Sequence, residues 1–168
     1  MSTLPLDRLF RIDGRLAVVT GGNSGLGRMM AITMAEAGAD VAVVARDAAR
    51  LAEVETEIRA HGRRAWAFGA DLSRREEVER VIASIRDAAG SPDILVCAAA
   101  INERPPMQAL EPDVWDRTLR VNLDAPYLFA RAFAPEMARR GWGRLVNMAS
   151  LQSVRSFNNS GVYGVSKA

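Results

Sequence analysis

Five short apolar segments alternate with longer amphipathic stretches, and this alternation constrains the fold more than any other feature of the chain. The apolar segments cover residues 16–20, 41–45, 65–69, 94–98 and 144–148. Strands that are apolar along their whole length are typical of a parallel sheet with both faces covered, because the crossover helices lie on those faces. Right-handed crossovers make such a sheet doubly wound. The sequence therefore predicts a single α/β domain over residues 1–168, built on a doubly wound parallel sheet.

The stretches between the apolar segments predict the helices. Helical periodicity covers residues 25–37, 48–61, 112–140 and 161–168, and one further helix ends at residue 89. Ser73 is the expected N-cap of that further helix, with Glu76 at the capping-box position. Proline lacks an amide hydrogen, so Pro126 and Pro135 are expected to kink or divide the long helix over residues 112–140. Residues 102–111 are polar and are expected to form a loop over the carboxyl edge of the sheet.

Composition and charge narrow the classes of function. Apolar residues make up 49% of the chain and charged residues 25%, which is ordinary for a globular protein, and the net charge is only +2. A surplus this small, spread along the chain, does not indicate a nucleic-acid-binding protein. No run approaches the roughly 20 apolar residues of a membrane span, and the first ten residues lack the apolar core of a signal peptide.

Cysteine usage and the absence of clustered ligands add two further expectations. Cys97 is the single cysteine and lies in an apolar run, which fits a reducing compartment, so the expected location is the cytoplasm. No group of residues has metal-ligand spacing. Together with the charge and the lack of a long apolar run, this predicts no metal, nucleic-acid or membrane partner.

A glycine-rich turn joins the first apolar segment to the first helix. Its sequence is Thr20-Gly21-Gly22-Asn23-Ser24-Gly25-Leu26-Gly27. Gly21 can form the tight turn, Gly25 lets the backbone approach a diphosphate, and Gly27 lets the helix pack close to the sheet. The helix N-terminus would then face the phosphates. A plain strand-to-helix turn is the alternative, but the position directly after the first strand favours a dinucleotide site.

A tyrosine and a lysine lie four residues apart near the end of the chain. Tyr163 and Lys167 share one face of the last predicted helix, and Ser150 lies thirteen residues before the tyrosine. An ammonium group stabilises a neighbouring phenolate, and a phenol so placed can exchange a proton with an alcohol or a carbonyl. Taken singly, the three residues could equally be a core aromatic, a surface lysine and a strand-end cap.

Together these motifs resemble the classical short-chain dehydrogenase/reductase family. The matching features, in chain order, are the T-G-x-x-x-G-x-G turn, Asp71-Leu72, Val121-Asn122, Ser150 and Tyr163-x-x-x-Lys167. The resemblance implies a Rossmann-like sheet and a nicotinamide cofactor. It also implies an oxidoreductase that transfers a hydride between that cofactor and an alcohol or carbonyl substrate.

The resemblance assigns a role to each matched residue. Tyr163 would be the general acid or base, Lys167 would stabilise its phenolate and hold the nicotinamide ribose, and Ser150 would bond the reacting oxygen. Asn122 would hold a water in the proton relay. The residues expected to bind the cofactor are Gly21, Asn23, Ser24, Gly25, Leu26, Gly27, Arg46, Asp71, Leu72, Ala98, Ala99, Tyr163 and Lys167.

Arg46 favours NADP as the cofactor, with NAD as the alternative. In NAD-binding proteins an acidic residue at the end of the second strand accepts hydrogen bonds from the ribose hydroxyls, whereas this chain has Ala45 and Arg46 there. A guanidinium pairs well with a 2′-phosphate. The other interpretation is a solvated loop arginine, because the adjacent Asp47 could occupy it or could touch a ribose itself.

The chain departs from the family pattern in two places. Where the family has Asn-Asn-Ala-Gly, residues 97–100 are Cys-Ala-Ala-Ala, which removes two amides and adds a methyl group beside the cofactor ribose. Family chains also continue well beyond the Tyr-x-x-x-Lys motif, with two more strands. We therefore expect the C-terminal strands to be missing and the domain to be incomplete. The alternative to an enzyme is a truncated, non-catalytic dinucleotide-binding module or an inactive fragment.

Substrate and assembly are indicated only through the resemblance. The polar segment over residues 151–162 looks like segments of family members that act on sugars, sugar acids or polyols, and Gln152, Asn158 and Asn159 can bond hydroxyls. The same side chains could instead satisfy loop backbone. A sugar-nucleotide epimerase is disfavoured because its glycine loop has a different spacing. A homo-oligomer is expected for a full-length parent protein.

Overall fold

A five-stranded parallel sheet forms the centre of the molecule. The computed structural model describes residues 9–168, and its strands are β1 (Leu16–Thr20), β2 (Asp40–Ala45), β3 (Ala65–Gly69), β4 (Ile94–Cys97) and β5 (Arg144–Asn147). Their order in the sheet is β3-β2-β1-β4-β5, and every neighbouring pair is parallel. The prediction of a doubly wound, Rossmann-like sheet is confirmed.

Helices cover both faces of this sheet. They are α1 (Gly25–Glu36), α2 (Ala48–Ala60), α3 (Arg75–Ala88), α4 (Pro112–Leu119), α5 (Ala125–Arg139) and α6 (Gly161–Lys167). Successive strand residues point to opposite faces, so Val18 and Val19 belong to different cores. Val18 packs in the core that contains Phe129 of α5, and Val19 packs in the core that contains Ile58 of α2.

The strand order reverses at β1, and this reversal fixes where a ligand can bind. β1 pairs with β2 on one side and with β4 on the other, so Thr20 at its end lies beside Val44 and Cys97. Where two crossover connections run to opposite sides of a strand, a crevice opens outside the carboxyl ends of the strands. The residues that follow β1, β2 and β4 therefore surround one crevice.

The predicted capping box of α3 is wrong. Arg74 is the N-cap of this helix, and no side chain caps it. Ser73 instead donates its hydroxyl to Asp71 at 2.8 Å, while Glu77 rather than Glu76 accepts the backbone amide of Asp71 at 2.8 Å. Because the nearby carboxylate competes for the serine hydroxyl, Ser73 supports the loop before the helix and not the helix itself.

The long helix predicted over residues 112–140 is divided beside Pro126. Residues Arg120–Asp124 form a π-helical turn between α4 and α5. Pro126 lies in the first turn of α5, and α5 continues through Pro135 to its end. Since a proline cannot donate to the carbonyl four residues earlier, the regular hydrogen-bond ladder cannot include the carbonyl of Asn122. Single π turns in helices are frequent at functional positions.

β5 forms an exposed edge of the sheet. Its neighbour β4 is buried throughout, whereas all four residues of β5 are exposed, with Leu145 at 46% and Val146 at 39%. No further strand pairs with its outer side within residues 9–168. The strand therefore presents unpaired backbone groups together with apolar side chains, which favours pairing with another chain.

The described residues have neither a helix that could span a membrane nor a cluster of metal ligands. Within residues 9–168 no helix is both long and apolar enough to cross a membrane. The same part of the chain contains no group of three or more His, Cys, Asp or Glu side chains placed to hold a metal ion. The observation on a signal peptide concerns the first ten residues, of which residues 1–8 lie outside the described range.

Candidate functional site

A cleft of about 820 Å³ opens at the carboxyl edge of the sheet, where the strand order reverses. Its volume is typical of small-molecule sites. The residues predicted from the sequence that line it are Gly21, Asn23, Ser24, Leu26, Gly27, Arg46, Asp71, Leu72, Ala98, Ala99, Tyr163 and Lys167. Three other predicted residues, Gly25, Asn122 and Ser150, do not line it. The cleft thus brings together most, but not all, of the predicted set.

The glycine turn is packed as tightly as its spacing predicts. Gly21 has a φ of 66°, and its amide donates to the carbonyl of Val44 at 2.7 Å. A Cβ atom on Gly21 would lie 2.7 Å from the backbone of Ala99, and a Cβ atom on Gly27 would collide with the carbonyl of Gly21. Glycine at both positions therefore allows β1, α1 and the segment after β4 to approach one another.

The N-terminus of α1 is accessible beside this turn. Gly25 has a φ of 51°, and a Cβ atom there would meet no other atom within 4 Å. Ser24 is the N-cap residue, yet its side chain makes no capping hydrogen bond. The first amides of α1 and the Ser24 hydroxyl can therefore donate hydrogen bonds to an anion, and the dipole of the helix favours negative charge at this end. This arrangement fits the diphosphate of a dinucleotide.

Asp71 and Leu72 contribute to the wall that follows β3. Burial would raise the pKa of the Asp71 carboxyl, but hydrogen bonds from the amide and hydroxyl of Ser73 and the charges of Arg46 and Arg74 outweigh it and hold the pKa below 3.8. The carboxylate is therefore ionised at neutral pH. Beside the buried Leu72 side chain, it can accept a hydrogen bond from an amino group of a bound base.

Arg46 lines the cleft without an ionic partner. Asp47, the N-cap of α2, accepts the amide of Arg50 at 3.1 Å, and its other oxygen lies 3.4 Å from Arg50 Nε. Across residues 9–168, no hydrogen bond or salt bridge engages the Arg46 guanidinium. Asp47 therefore pairs with Arg50 and leaves Arg46 available to a ligand.

Along the wall after β4, Cys97 and Ala98 replace the two amides of the family pattern and Ala100 replaces its glycine. Ala98, Ala99 and Ala100 all line the cleft, and the amide of Ala99 donates weakly to the Thr20 hydroxyl at 3.4 Å. Cys97 lies just before them, buried at the end of β4. Burial raises the pKa of its thiol to about 12, against the opposing effect of the Lys167 charge. Cys97 is therefore a neutral thiol that packs within the sheet.

α6 brings Tyr163 and Lys167 to the cleft together. Lys167 Nζ lies 6.0 Å from the centroid of the Tyr163 ring and donates a hydrogen bond to the carbonyl of Met148 at 2.7 Å. Burial lowers the pKa of the Lys167 ammonium below 10.5, and its interaction with Cys97 only partly offsets that effect. The pair thus presents a phenol and a partly desolvated cation on one wall of the cleft.

Ser150 follows this wall in the chain but does not itself line the cleft. Its neighbours Met148 and Ala149 line the cleft, while Ser150 is only partly buried and begins a short 3₁₀ turn, Leu151–Ser153. The Ser150 hydroxyl oxygen accepts the amide of Gln152 at 3.2 Å. Its own proton has no partner among the hydrogen bonds of the described residues, so the hydroxyl can still donate.

Asn122 is buried in the π turn and braces three segments. Its Oδ1 accepts the amide of Ile101 at 2.8 Å, and its Nδ2 donates to the carbonyl of Ile101 at 2.9 Å and to Ser166 Oγ at 2.9 Å. Both hydrogens of the side-chain amide are therefore used. The Asn122 side chain holds the wall after β4 and helix α6 in fixed relation to the π turn.

Sequence reasoning missed three residues of this region: Arg50, Arg117 and Ser166. Arg50 and Arg117 line the cleft, and Arg117 also pairs with Glu103. Ser166 receives the hydrogen bond from Asn122. Helical spacing carried a signal for each of them. Arg50 follows the N-cap of α2 by three residues, Arg117 precedes a cleft residue by four, and Ser166 follows Tyr163 by three.

Comparison with known proteins decides the family. Residues 15–168 match the family described as short chain dehydrogenase. The chain belongs to that family. An NAD-dependent glycerol dehydrogenase from Listeria innocua is 34% identical to this short chain dehydrogenase over 164 residues, covering 96% of this chain and 63% of the relative.

Two similar solved structures support membership of the same family. A metagenomic short-chain oxidoreductase in complex with NADP is 36% identical, with a TM-score of 0.88, covering 93% of this chain and 71% of that one. A gluconate 5-dehydrogenase from Burkholderia cenocepacia J2315, in complex with NADP and tartrate, is 35% identical, with a TM-score of 0.85 and coverage of 94% and 62%. The chain spans between half and two thirds of the length of the curated relatives that it matches.

Proposed function

We propose that this short chain dehydrogenase transfers a hydride between NADP(H) and an alcohol or carbonyl substrate. One observation carries the proposal: Tyr163 and Lys167 line the same cleft as the glycine turn and Arg46. A site for a nucleotide and a site for proton transfer are thus continuous. The fit of the glycine turn to a diphosphate supports the cofactor, which supplies the hydride chemistry when it is bound.

The proposed proton transfer belongs to Tyr163. Its phenol would donate a proton to the carbonyl oxygen in reduction and accept one from the alcohol in oxidation. The Lys167 ammonium would stabilise the phenolate and donate hydrogen bonds to ribose hydroxyls. Ser150, whose oxygen already accepts the amide of Gln152, would use its remaining proton to bond the substrate oxygen.

We assign Asn122 to the proton relay through its main chain and not through its side chain. The side-chain amide already makes three hydrogen bonds within the protein. In an α-helix the Asn122 carbonyl would accept the backbone amide of the residue four positions later. That residue is Pro126, which has no amide hydrogen to donate. We propose that this carbonyl holds a water that exchanges protons with the site.

Support for NADP comes from charge. Arg46 makes no salt bridge within residues 9–168, and Asp47, the nearest carboxylate in the sequence, is engaged with Arg50. A guanidinium in this position suits a 2′-phosphate better than two ribose hydroxyls. The two similar solved structures that contain NADP support this preference. Because the similar glycerol dehydrogenase is NAD-dependent, NAD is the alternative cofactor.

For the substrate we propose a polyhydroxylated compound, namely a sugar, a sugar acid or a polyol. Gln152, in the segment before α6, supports this choice because its Oε1 lies close to Gly164 and is buried with no hydrogen-bond partner among the described residues. A buried acceptor of this kind is satisfied by a hydroxyl group. The named activities of the glycerol and gluconate dehydrogenases are of the same chemical class.

The cofactor part of the proposal is tested by titrating the chain with NADPH and with NADH, following nicotinamide fluorescence. We expect NADPH to bind more tightly. Substituting Arg46 with Gln should remove most of the difference between the two while leaving NADH binding unchanged. Failure of the chain to bind either dinucleotide would contradict the proposal.

The catalytic part is tested with Tyr163→Phe. With NADP and a panel of polyols and sugar acids, loss of the phenol should lower turnover by a factor of about 10² to 10⁴, because general acid–base catalysis contributes that much. Dinucleotide affinity should change much less than turnover, because the substitution removes only the hydroxyl group of one cleft residue. Dinucleotide binding without turnover on any substrate would favour the non-catalytic binding module, and full turnover in the Phe variant would exclude Tyr163 as the proton donor.

A further inference from the structure

Lys167 is the single lysine of the chain, so its side chain and the N-terminal amino group are the only primary amines of the sequence. The lysine is partly buried and lines the cleft. The other cations that line it, Arg46, Arg50 and Arg117, carry guanidinium groups, which stay protonated and are not nucleophilic near neutral pH. Among the described residues, Lys167 therefore brings the one side-chain amine to this cleft.

The surroundings of this amine favour its neutral form. Nζ donates a hydrogen bond to the carbonyl of Met148 at 2.7 Å, and no carboxylate pairs with it within residues 9–168. Partial burial lowers the pKa of the ammonium below 10.5. Near neutral pH, a larger fraction of Lys167 is therefore neutral than of an exposed lysine, and the neutral amine is the nucleophile.

The titratable and charged groups around the amine do not reverse this effect. Cys97, on β4, has a buried thiol whose interaction with the ammonium only partly offsets the burial. Arg117, on α4, adds positive charge to the cleft. The carboxylates that line the cleft, Asp47 and Asp71, follow β2 and β3 and already accept hydrogen bonds from nearby residues. Neither is free to hold the amine in its charged form.

Tyr163 places a proton donor beside the amine. Its ring centroid lies 6.0 Å from Lys167 Nζ, and both side chains line the same cleft. When an amine condenses with an aldehyde, the hydroxyl group of the addition product must be protonated before it can leave as water. A phenol next to the amine can supply that proton.

We propose that Lys167 is a carbonyl-reactive amine that forms a reversible imine with a small aldehyde in the cleft, with Tyr163 as the proton donor. The nitrogen lone pair forms a bond to the carbonyl carbon, and one amine proton passes to the oxygen. The C–O bond then breaks, the oxygen leaves as water with the Tyr163 proton, and the second amine proton returns to the tyrosine oxygen. Nothing is oxidised or reduced, so the step needs neither a cofactor nor the proposed hydride transfer.

The test compares Lys167 with an ordinary lysine in the same chain. Arg131→Lys adds that lysine on the exposed face of α5. The variant is incubated with glycolaldehyde and excess cyanoborohydride, which reduces the imine to a stable amine, and peptide mass spectrometry follows both lysines. At about pH 7.5 we expect Lys167 to be labelled at least about fivefold faster, because more of it is neutral. A rate equal to or below that of the added lysine would overturn the proposal.

Guanidinium chloride provides the control for the folded cleft. Once the chain is unfolded, both lysines are exposed, so they should be labelled at the same rate. A preference for Lys167 that persisted in the unfolded chain would come from local sequence and would overturn the role of the cleft.

Tyr163→Phe, made in the same Arg131→Lys chain, tests the proton donor. We expect labelling of Lys167 to slow by at least about fivefold, with the pH at which its rate levels off little changed and the added lysine unaffected. A structural effect on Lys167 would move that pH instead. An unchanged rate would remove Tyr163 from the proposal.

NADPH separates this inference from the proposed function. If the dinucleotide binds, its ribose should cover Lys167 and slow the labelling of that residue but not of the added lysine. Binding of NADPH without such protection would place the reactive amine outside the cleft and overturn the proposal. If the chain bound no NADPH but Lys167 still reacted faster than the added lysine, the dinucleotide function would fail and the carbonyl-reactive amine would stand.

Discussion

At the scale of single residues, Lys167 shows how a functional group can be unfavourable for folding. It is the single lysine of the chain, and its ammonium is partly buried against the carbonyl of Met148. Burial disfavours the charged form and lowers the pKa. A neutral or apolar side chain would fit this environment better. This unfavourable burial accords with the proposed action of the cation on Tyr163 and a bound ligand.

The lowered pKa of Lys167 predicts a dependence of stability on pH. Between the lowered pKa and 10.5, the unfolded chain binds more protons at this residue than the folded chain, so stability rises with pH. Lys167→Met removes this contribution. The difference in unfolding free energy between the unaltered chain and Lys167→Met should therefore shift in favour of the unaltered chain on going from about pH 7 to about pH 10.

Urea unfolding at several pH values measures this difference directly. Because the two chains differ only at position 167, titrating groups that are distant from Lys167 contribute equally to both and cancel in the difference. A difference that stays constant, or that shifts in favour of Lys167→Met, would mean that burial does not lower the pKa of Lys167.

At the scale of elements, the hydrogen bonds of Ser166 connect α6 to the π turn. Ser166 Oγ accepts from Asn122 Nδ2 at 2.9 Å and donates to the carbonyl of Tyr163 at 2.8 Å. Ser166→Ala would leave a buried amide hydrogen of Asn122 without a partner. We expect the free energy of unfolding to fall by about 1–3 kcal/mol, the usual cost of such a group.

Ser84→Ala is the control for Ser166→Ala. Ser84 donates a similar hydrogen bond to the carbonyl of Arg80, but on the exposed face of α3. Its loss should change the unfolding free energy by less than about 0.5 kcal/mol. In urea titrations, equal effects of the two substitutions would mean that Ser166 does not support Asn122.

Asp40 connects the start of β2 to the residues before β3. Its buried carboxylate accepts hydrogen bonds from Arg63, from the Arg64 amide and from Arg64 Nε, at 2.8, 3.0 and 2.8 Å. Burial would raise the pKa of Asp40, but these partners outweigh it and keep the pKa below 3.8. The stabilisation is therefore present above pH 3.8 and is lost as the pH falls through the lowered value.

Asp40→Asn should accordingly destabilise the chain by about 1–3 kcal/mol at neutral pH, with the difference shrinking in acid. Asp87→Asn is the control, since Asp87 is exposed at the end of α3 and makes no ion pair within residues 9–168. Thermal or urea unfolding along a series of acidic buffers gives the comparison. A loss for Asp40→Asn that does not diminish in acid would exclude the carboxylate charge as its source.

Local pattern predicted the elements that depend on local sequence. The predicted strand bounds agree with the observed ones to within one residue, because strands appear in the sequence as apolar runs. β2 begins one residue earlier than predicted, at the polar Asp40, whose hydrogen-bond partners lie far along the chain. The π turn was not predictable, because Asn122 is held there by Ile101 and Ser166, which are distant in sequence. The sequence also could not predict which arginine Asp47 contacts. Asp47 pairs with Arg50 and not with Arg46 because it caps helix α2.

At the scale of the whole molecule, the two halves of the sheet differ in protection. β1, β2 and β4 are buried throughout, and the part of the cleft that contains the glycine turn, Arg46 and Ala98 is built on their ends. β5, with the segment that carries Ser150, is exposed. Nucleotide binding should therefore depend mainly on the protected half, whereas the proposed proton transfer depends on residues next to the exposed strand.

The exposed strand β5 also predicts how chains interact in solution. Leu145 and Val146 place apolar side chains on opposite faces of an edge whose outer backbone groups have no partner in the described part of the chain. Such an edge pairs readily with another strand, and a lysine on the edge opposes that pairing. We expect the average mass measured by sedimentation to rise with protein concentration, and Val146→Lys to reduce that rise.

Met29→Lys adds the same charge to an exposed apolar position on α1, away from the edge, and should not reduce the rise in average mass. If both variants lowered association equally, net charge and not the edge of β5 would account for it, and if the unaltered chain stayed monomeric at every concentration, the exposed strand would have to be protected by something other than a second copy.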